Sequence, residues 1–206
     1  MRLAVLIAIP AATGLIVLAD PLVTVLFFGG VFDEHAVRMT ALALKAYAAG
    51  LVGFSLVKIF APAYFAREDT KTPVRIALVA LAVNLVLSIG FALTMSAKGV
   101  AGPHAGLAAA TSLAAILNAA LLYRGLIKDR ILRHSSGWLA LLIRVGLANV
   151  VMVVVTYQLH RPLDWWIAAS LTTRIGWLSV TIVASGVSYF AALLLTGTRL
   201  SQFRLR

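Results

Sequence analysis

The stretch PVRIALVALAVNLVLSIGFALTM, residues 73–95, decides the fold. Its single charge, Arg75, stands at the start, and the rest is apolar apart from Asn84, Ser88 and Thr94. A helix needs about 20 apolar residues to cross the hydrocarbon of a bilayer, so this run spans. Outward from it, comparable lengths recur at 2–19, 37–64, 104–126, 138–159 and 174–196. Polar stretches separate them: Phe32 to Arg38, Arg67 to Thr72, Ser96 to Pro103, Lys128 to Ser136 and His160 to Thr173.

Composition agrees. Hydrophobic residues make up 62% of the 206 and charged residues 12%, with a mean hydropathy of +0.99. A water-soluble domain has about a quarter of its residues charged, so half that supply leaves much of the surface to lipid. The sequence predicts an all-α integral membrane protein with six transmembrane helices. Met1-Arg2 ahead of an apolar run has the outline of a signal peptide, but Pro10 and the continuation through Asp20-Pro21 favour an internal spanning helix.

Lysine and arginine placement predicts the orientation, because these residues accumulate on the cytoplasmic side. With six spans, the two termini and the second and fourth loops share one face. That face carries eleven of the eighteen: Arg2, Arg67, Lys71, Arg75, Arg124, Lys128, Arg130, Arg133, Arg199, Arg204 and Arg206. Arg38, Lys98, Arg161 and Arg174 make four on the other. Both ends are therefore expected in the cytoplasm. The net charge of +11 is accounted for by topology: it lies in short clusters, with no basic run or aromatic-interleaved stripe to suggest nucleic acid.

Local signals place the element ends. Asp33 and Glu34 suit the cap and first turn of the second span. Thr72-Pro73 offers a capping hydroxyl before a first-turn proline, and Pro62 is expected to kink the second span near its end. Residues 21–28 are too short to span and read as a brief interfacial helix broken at Gly29-Gly30. Ala46, Ala49, Gly50 and Gly53, and Ala110, Ala114, Ala115 and Ala119, recur at three- and four-residue spacing, which lets helix backbones approach closely in lipid. Trp138, Trp165, Trp166 and Trp177 sit near span ends, as interfacial anchors do.

Signatures of catalysis are missing. There is no phosphate-binding glycine loop, no His-Glu-x-x-His and no carboxylate pair inside a span. His35, His104, His134 and His160 lack metal-ligand spacing, and the absence of cysteine excludes disulfides and thiol chemistry. An enzyme is not expected, nor a cofactor. Three cations, Lys45, Lys58 and Arg144, fall within apolar segments, where charge costs at least ~2.5 kcal/mol. Either their stems snorkel to the headgroups or they line a cationic cavity for an anionic substrate. Lys45 and Lys58 are thirteen residues apart, about 220° around a helix, so they are not expected to share a face. Asn84, Ser88 and Thr111 serve either interhelical hydrogen bonds or ion coordination.

The run Lys58-Ile59-Phe60-Ala61-Pro62-Ala63-Tyr64-Phe65-Ala66-Arg67-Glu68-Asp69-Thr70-Lys71-Thr72-Pro73-Val74 resembles a signature of the MurJ/MviN family of lipid II flippases, within the multidrug/oligosaccharidyl-lipid/polysaccharide exporter superfamily. The resemblance extends upstream through Pro10, Asp20-Pro21-Leu22 and Gly30-Val31-Phe32-Asp33. Downstream it takes in Gly106-Leu107-Ala108, Asn118-Ala119, Gly137-Trp138 and Arg144. It implies the last six helices of a fourteen-helix transporter of the bacterial inner membrane. Residues 1–127 would supply four helices of its C-terminal lobe, 128–136 a basic cytoplasmic loop, and 137–206 two further helices lining a groove for the lipid tail. The implied activity is alternating access in cell-wall synthesis. The implied partners are lipid II or a related polyprenyl-linked precursor, membrane lipids and a missing N-terminal lobe, so the chain is expected to be a fragment or a split gene product. Lys45, Lys58 and Arg144 become the candidate headgroup contacts. Members with a sodium site use an Asn, an acidic residue one turn later and a Thr on the next helix. Asn84 matches and Thr111 is a partner in reach, but Ser88 stands at the acidic position, so no metal is expected. The alternatives are a carrier of another polyprenyl-linked glycan or drug, and a membrane scaffold that binds helices through its small-residue faces.

Overall fold

The computed structural model describes residues 1–97, 103–131 and 137–197. Lys98, Arg133, His134, Arg199, Arg204 and Arg206, and most of the 96–103 and 128–136 stretches, lie outside the described residues. Nine helices follow one another among those described: α1 (Arg2–Val17), α2 (Ala19–Phe27), α3 (Glu34–Ala49), α4 (Leu51–Phe65), α5 (Lys71–Ala97), α6 (Pro103–Lys128), α7 (Trp138–Gln158), α8 (Leu163–Ala168) and α9 (Leu171–Leu195).

Five spans are long and apolar enough to cross a membrane: Glu34–Phe65, in which α3 and α4 run on, and those of α5, α6, α7 and α9. The expected first span is different. α1 stops at Val17 and α2 leaves it at 68°. Sixteen residues rise only ~24 Å, short of the ~30 Å hydrocarbon layer, so the count reaches six only with α2 as the bent continuation of α1. Pro21 supplies the reason: without an N–H it cannot bond the carbonyl of Val17, one turn back.

Other ends follow their local chemistry, with corrections. The Asp33 carboxylate accepts from the Ala36 N–H at 2.8 Å, capping α3 as expected, and Gly29 and Gly30 close α2 at φ +150° and +58°. The second span is interrupted at Gly50, whereas α4 continues through Pro62 to Phe65. α5 begins at Lys71, and the carboxylate of Asp69, rather than the Thr72 hydroxyl, accepts from the Thr72 N–H at 3.0 Å. That bond holds the Asp69 carboxyl below the usual carboxylate range. The expected polar connection 160–173 contains α8, whose Trp166 is buried instead of resting at the interface. Trp138 lies beneath Arg2, and Trp165 and Trp177 beneath Arg161.

Packing divides the bundle in two, with α1 touching both parts. On one side α3 and α4 lie along α6, and α5 flanks α6. The small-residue faces meet here as predicted. A β-carbon on Gly53 would stand 2.8 Å from the backbone nitrogen of Ile116, and one on Gly50 2.6 Å from the Ser112 hydroxyl. At that approach Ser112 donates to the Ala46 carbonyl at 2.6 Å. On the other side α7 and α9 pack together, sharing a core of Leu141, Val145, Met152, Tyr189 and Leu193 with Leu6 of α1. Their buried hydroxyls, Thr156 and Ser185, are 2.7 Å apart, and Tyr189 donates to the Leu6 carbonyl at 2.8 Å. The outward faces carry Leu78, Leu81, Leu85 and Val86 of α5 and Val183, Val187 and Leu194 of α9, the surface lipid would contact.

Candidate substrate-binding site

Among the described residues, three of the openings in this packing bear on binding. The two larger ones are apolar: about 490 Å³ between α1 and α9, walled by Leu6, Pro10, Gly14, Ile182, Gly186 and Phe190, and about 430 Å³ among α1, α4 and α6, closed by Trp138. The third, about 330 Å³ between α4, α5 and α6, carries the chemistry. Lys58 enters it from α4, Asn84 from α5, and Thr111 and Asn118 from α6, among alanines and Phe54, Val57 and Leu81.

Helical spacing explains the convergence. Thr111, Ala114, Ala115 and Asn118 recur at three, four and seven residues and so share one face of α6. Lys58 lies seven residues before the end of α4, about 10 Å along the axis. It is exposed to the opening and has no ion-pair partner among the described residues. A fixed ammonium beside two carboxamides and a hydroxyl suits an anion flanked by hydroxyl or amide groups.

The same set does not fit sodium. Asn84 Oδ1 already accepts from Ser88 Oγ at 3.2 Å, and Thr111 donates its hydroxyl to the Leu107 carbonyl at 3.0 Å. No carboxylate lines the opening, and a lysine ammonium does. A hard cation needs anionic or carbonyl oxygen and no competing positive charge.

The other two candidate cations stand elsewhere. Lys45 is engaged by Asp20 of α2, Nζ to Oδ2 at 2.5 Å, so it and Lys58 have separate surroundings, as their angular spacing requires. Arg144 reaches just past the end of α9, donating from Nη1 to the Gly197 carbonyl at 3.4 Å, where a cation complements the helix dipole. The three do not form one cluster.

Some residues had no role in the sequence reading. Asn118 was recoverable from its seven-residue spacing to Thr111. Asp20 as the partner of Lys45 was not, because the pair is 25 residues apart in the chain. Arg174, counted only as an outward-side charge, is buried where α2, α8 and α9 meet, its Nη2 donating to the Ile167 carbonyl at 2.6 Å and its guanidinium 4.9 Å over Phe28.

The family model described as lipid II flippase MurJ matches residues 1–176. A probable lipid II flippase MurJ of Vibrio cholerae is 37% identical over 205 residues, which covers 99% of this chain and 38% of that relative. One of Haemophilus influenzae is 36% identical over 97% of the chain and 38% of its own length. The lipid II flippase MurJ of Burkholderia cenocepacia is 35% identical over 100% and 39%. The chain thus spans about two fifths of the length of these relatives, and that share is their C-terminal portion. On the family match and these identities, the chain belongs to the MurJ lipid II flippase family.

Proposed function

We propose that this chain is the closing part of a lipid II flippase of the bacterial inner membrane. Its six spans would correspond to the last six of fourteen helices, with both ends in the cytoplasm. The complete transporter presents its substrate cavity alternately to the two faces, and a first lobe on other residues completes that cavity. The observation that carries this reading is Lys58. A cation without a counter-ion among the described residues, about 10 Å from the end of its span, is costly in lipid and opens onto Asn84, Thr111 and Asn118.

Roles follow from chemistry. Lys58 attracts the diphosphate, and the three uncharged polar side chains bond sugar or peptide groups beside it. The apolar opening between α1 and α9 receives the polyprenyl tail, with α1 as the wall facing α9. Arg144 secures the end of α9 instead of meeting substrate. The scaffold alternative loses its motive, since the small-residue faces of α3, α4 and α6 are already occupied by one another. The eleven-to-four asymmetry of basic residues supports the orientation.

The test is rescue of a strain depleted of its lipid II flippase by the full-length gene. Growth with normal envelope synthesis is the expected result. Failure at normal expression, with rescue of a different glycan-lipid carrier, assigns another polyprenyl-linked substrate. Cysteine labelling of the Arg67–Lys71 turn from the periplasm would overturn the orientation.

A further inference from the structure

Beyond Arg38 in its opening turns, which pairs with Glu34, the span from α3 through α4 carries two cations thirteen residues apart, about 20 Å along the axis. Lys58 has no counter-ion among the described residues, whereas Lys45 holds Asp20 at 2.5 Å. That pair is not sealed in: the two side chains are 35% and 33% exposed. An ammonium has three N–H donors, and that to Asp20 is the one hydrogen bond of Lys45 Nζ among the described residues. It therefore remains able to take a second acceptor. Stability alone does not explain the pair well, since partly exposed ion pairs typically contribute little to it. Ionisable groups inside a span more often mark a path for charge.

We propose that Asp20 is the resident counter-ion that keeps Lys45 from retaining the anionic headgroup in the outer half of the molecule. The inference rests on the transport reading above. A diphosphate drawn to two uncompensated cations along one span would be held at both, and a carrier must bind weakly enough to let go. With Asp20 in place, the inner station attracts and the outer one is close to neutral. Asp20 acts through Lys45, as a positioning residue.

The experiment uses the full-length protein. Binding of farnesyl diphosphate in detergent serves as the probe of diphosphate affinity, and flipping of fluorescent lipid II in vesicles supplies KM and kcat. Asp20→Asn is expected to tighten binding roughly three- to tenfold and to lower KM and kcat together. Lys45→Gln abolishes that gain, so the double variant binds as the wild type does, and Asp20→Glu retains wild-type behaviour. Unchanged or weaker binding by Asp20→Asn overturns the proposal. If that variant does not fold, the double variant decides: wild-type binding and turnover support the proposal, and their loss makes the pair a structural staple and overturns it. The binding comparison stands whether or not the wild type flips lipid II, which is what tests the reading beneath it.

Discussion

On one side of α1, α4 meets α6 through glycine and alanine, backbone against backbone, and the opening beside them is lined by Lys58, Asn84 and Thr111. On the other side, α7 and α9 meet through the hydroxyls of Thr156 and Ser185, and the opening between α9 and α1 is apolar. Lipid offers no hydrophobic drive for helices to associate, so each half needs some other attraction. Close packing of small residues supplies it in the first, hydrogen bonding in the second. The polar opening adjoins the half in which Ser112 and Tyr64 each donate only to backbone carbonyls of the neighbouring helix. The apolar opening of about 490 Å³ adjoins the half whose Thr156 and Ser185 hydroxyls bond each other inside, while the second apolar opening, about 430 Å³, lies among α1, α4 and α6. On the proposed function, headgroup and tail would be served by different halves of one chain.

The largest expected effect breaks this division at its cation. Lys58→Gln in the full-length protein should slow flipping by roughly 30-fold or more, the cost of losing a desolvated charge contact, with thermal stability unchanged because Lys58 has no ion-pair partner among the described residues. Equal losses of stability and flipping would return Lys58 to a packing role. Next, Gly53→Val should destabilise by about 1–3 kcal/mol through overpacking against Ile116, read as a lower midpoint in detergent melting. A bulky residue in the other half meets empty space, since nothing lies within 4 Å of a β-carbon on Gly186. Gly186→Phe is therefore expected to keep the fold and raise KM roughly tenfold by filling the tail groove. Unchanged KM removes that groove from the pathway. Ser185→Ala should cost only about 0.6 kcal/mol, the mean for a hydrogen bond between membrane helices.

The smallest effect lies outside the bilayer. The Asp69 carboxyl is held below the usual range by the Thr72 N–H. Its contribution is therefore present above the unfolded value and fades as pH falls through the folded one. Amide protection at the start of α5, taken relative to the intrinsic exchange rate at each pH, should fall under acid, and Asp69→Asn should remove that dependence.

Spans were legible because the bilayer imposes length and apolarity on each stretch separately. The run 73–95 could be read alone, as could the Asp33 cap and the small residues of the second and fourth spans. What escaped was set by distance in the chain or by competing local bonds. The bend at Leu18 needs Pro21 weighed against an apolar run that continues past it. The Asp20–Lys45 pair joins positions that no periodicity links, and α8 is too short for its pattern to stand out. At the candidate site, Lys58, Asn84 and Thr111 were each noticed, but only the tertiary packing brings them around one opening and sends Lys45 and Arg144 elsewhere.

The bond between Asp20 and Lys45 also has an order of birth. The acid leaves the ribosome 25 residues ahead of the base, an interval of roughly 1–5 s at ordinary elongation rates. For that time the bent first segment carries a carboxylate whose neutralising partner has not yet been made. The pairing that neutralises it waits on the synthesis of α3, so the contact that ties α2 to α3 can close only once both segments exist.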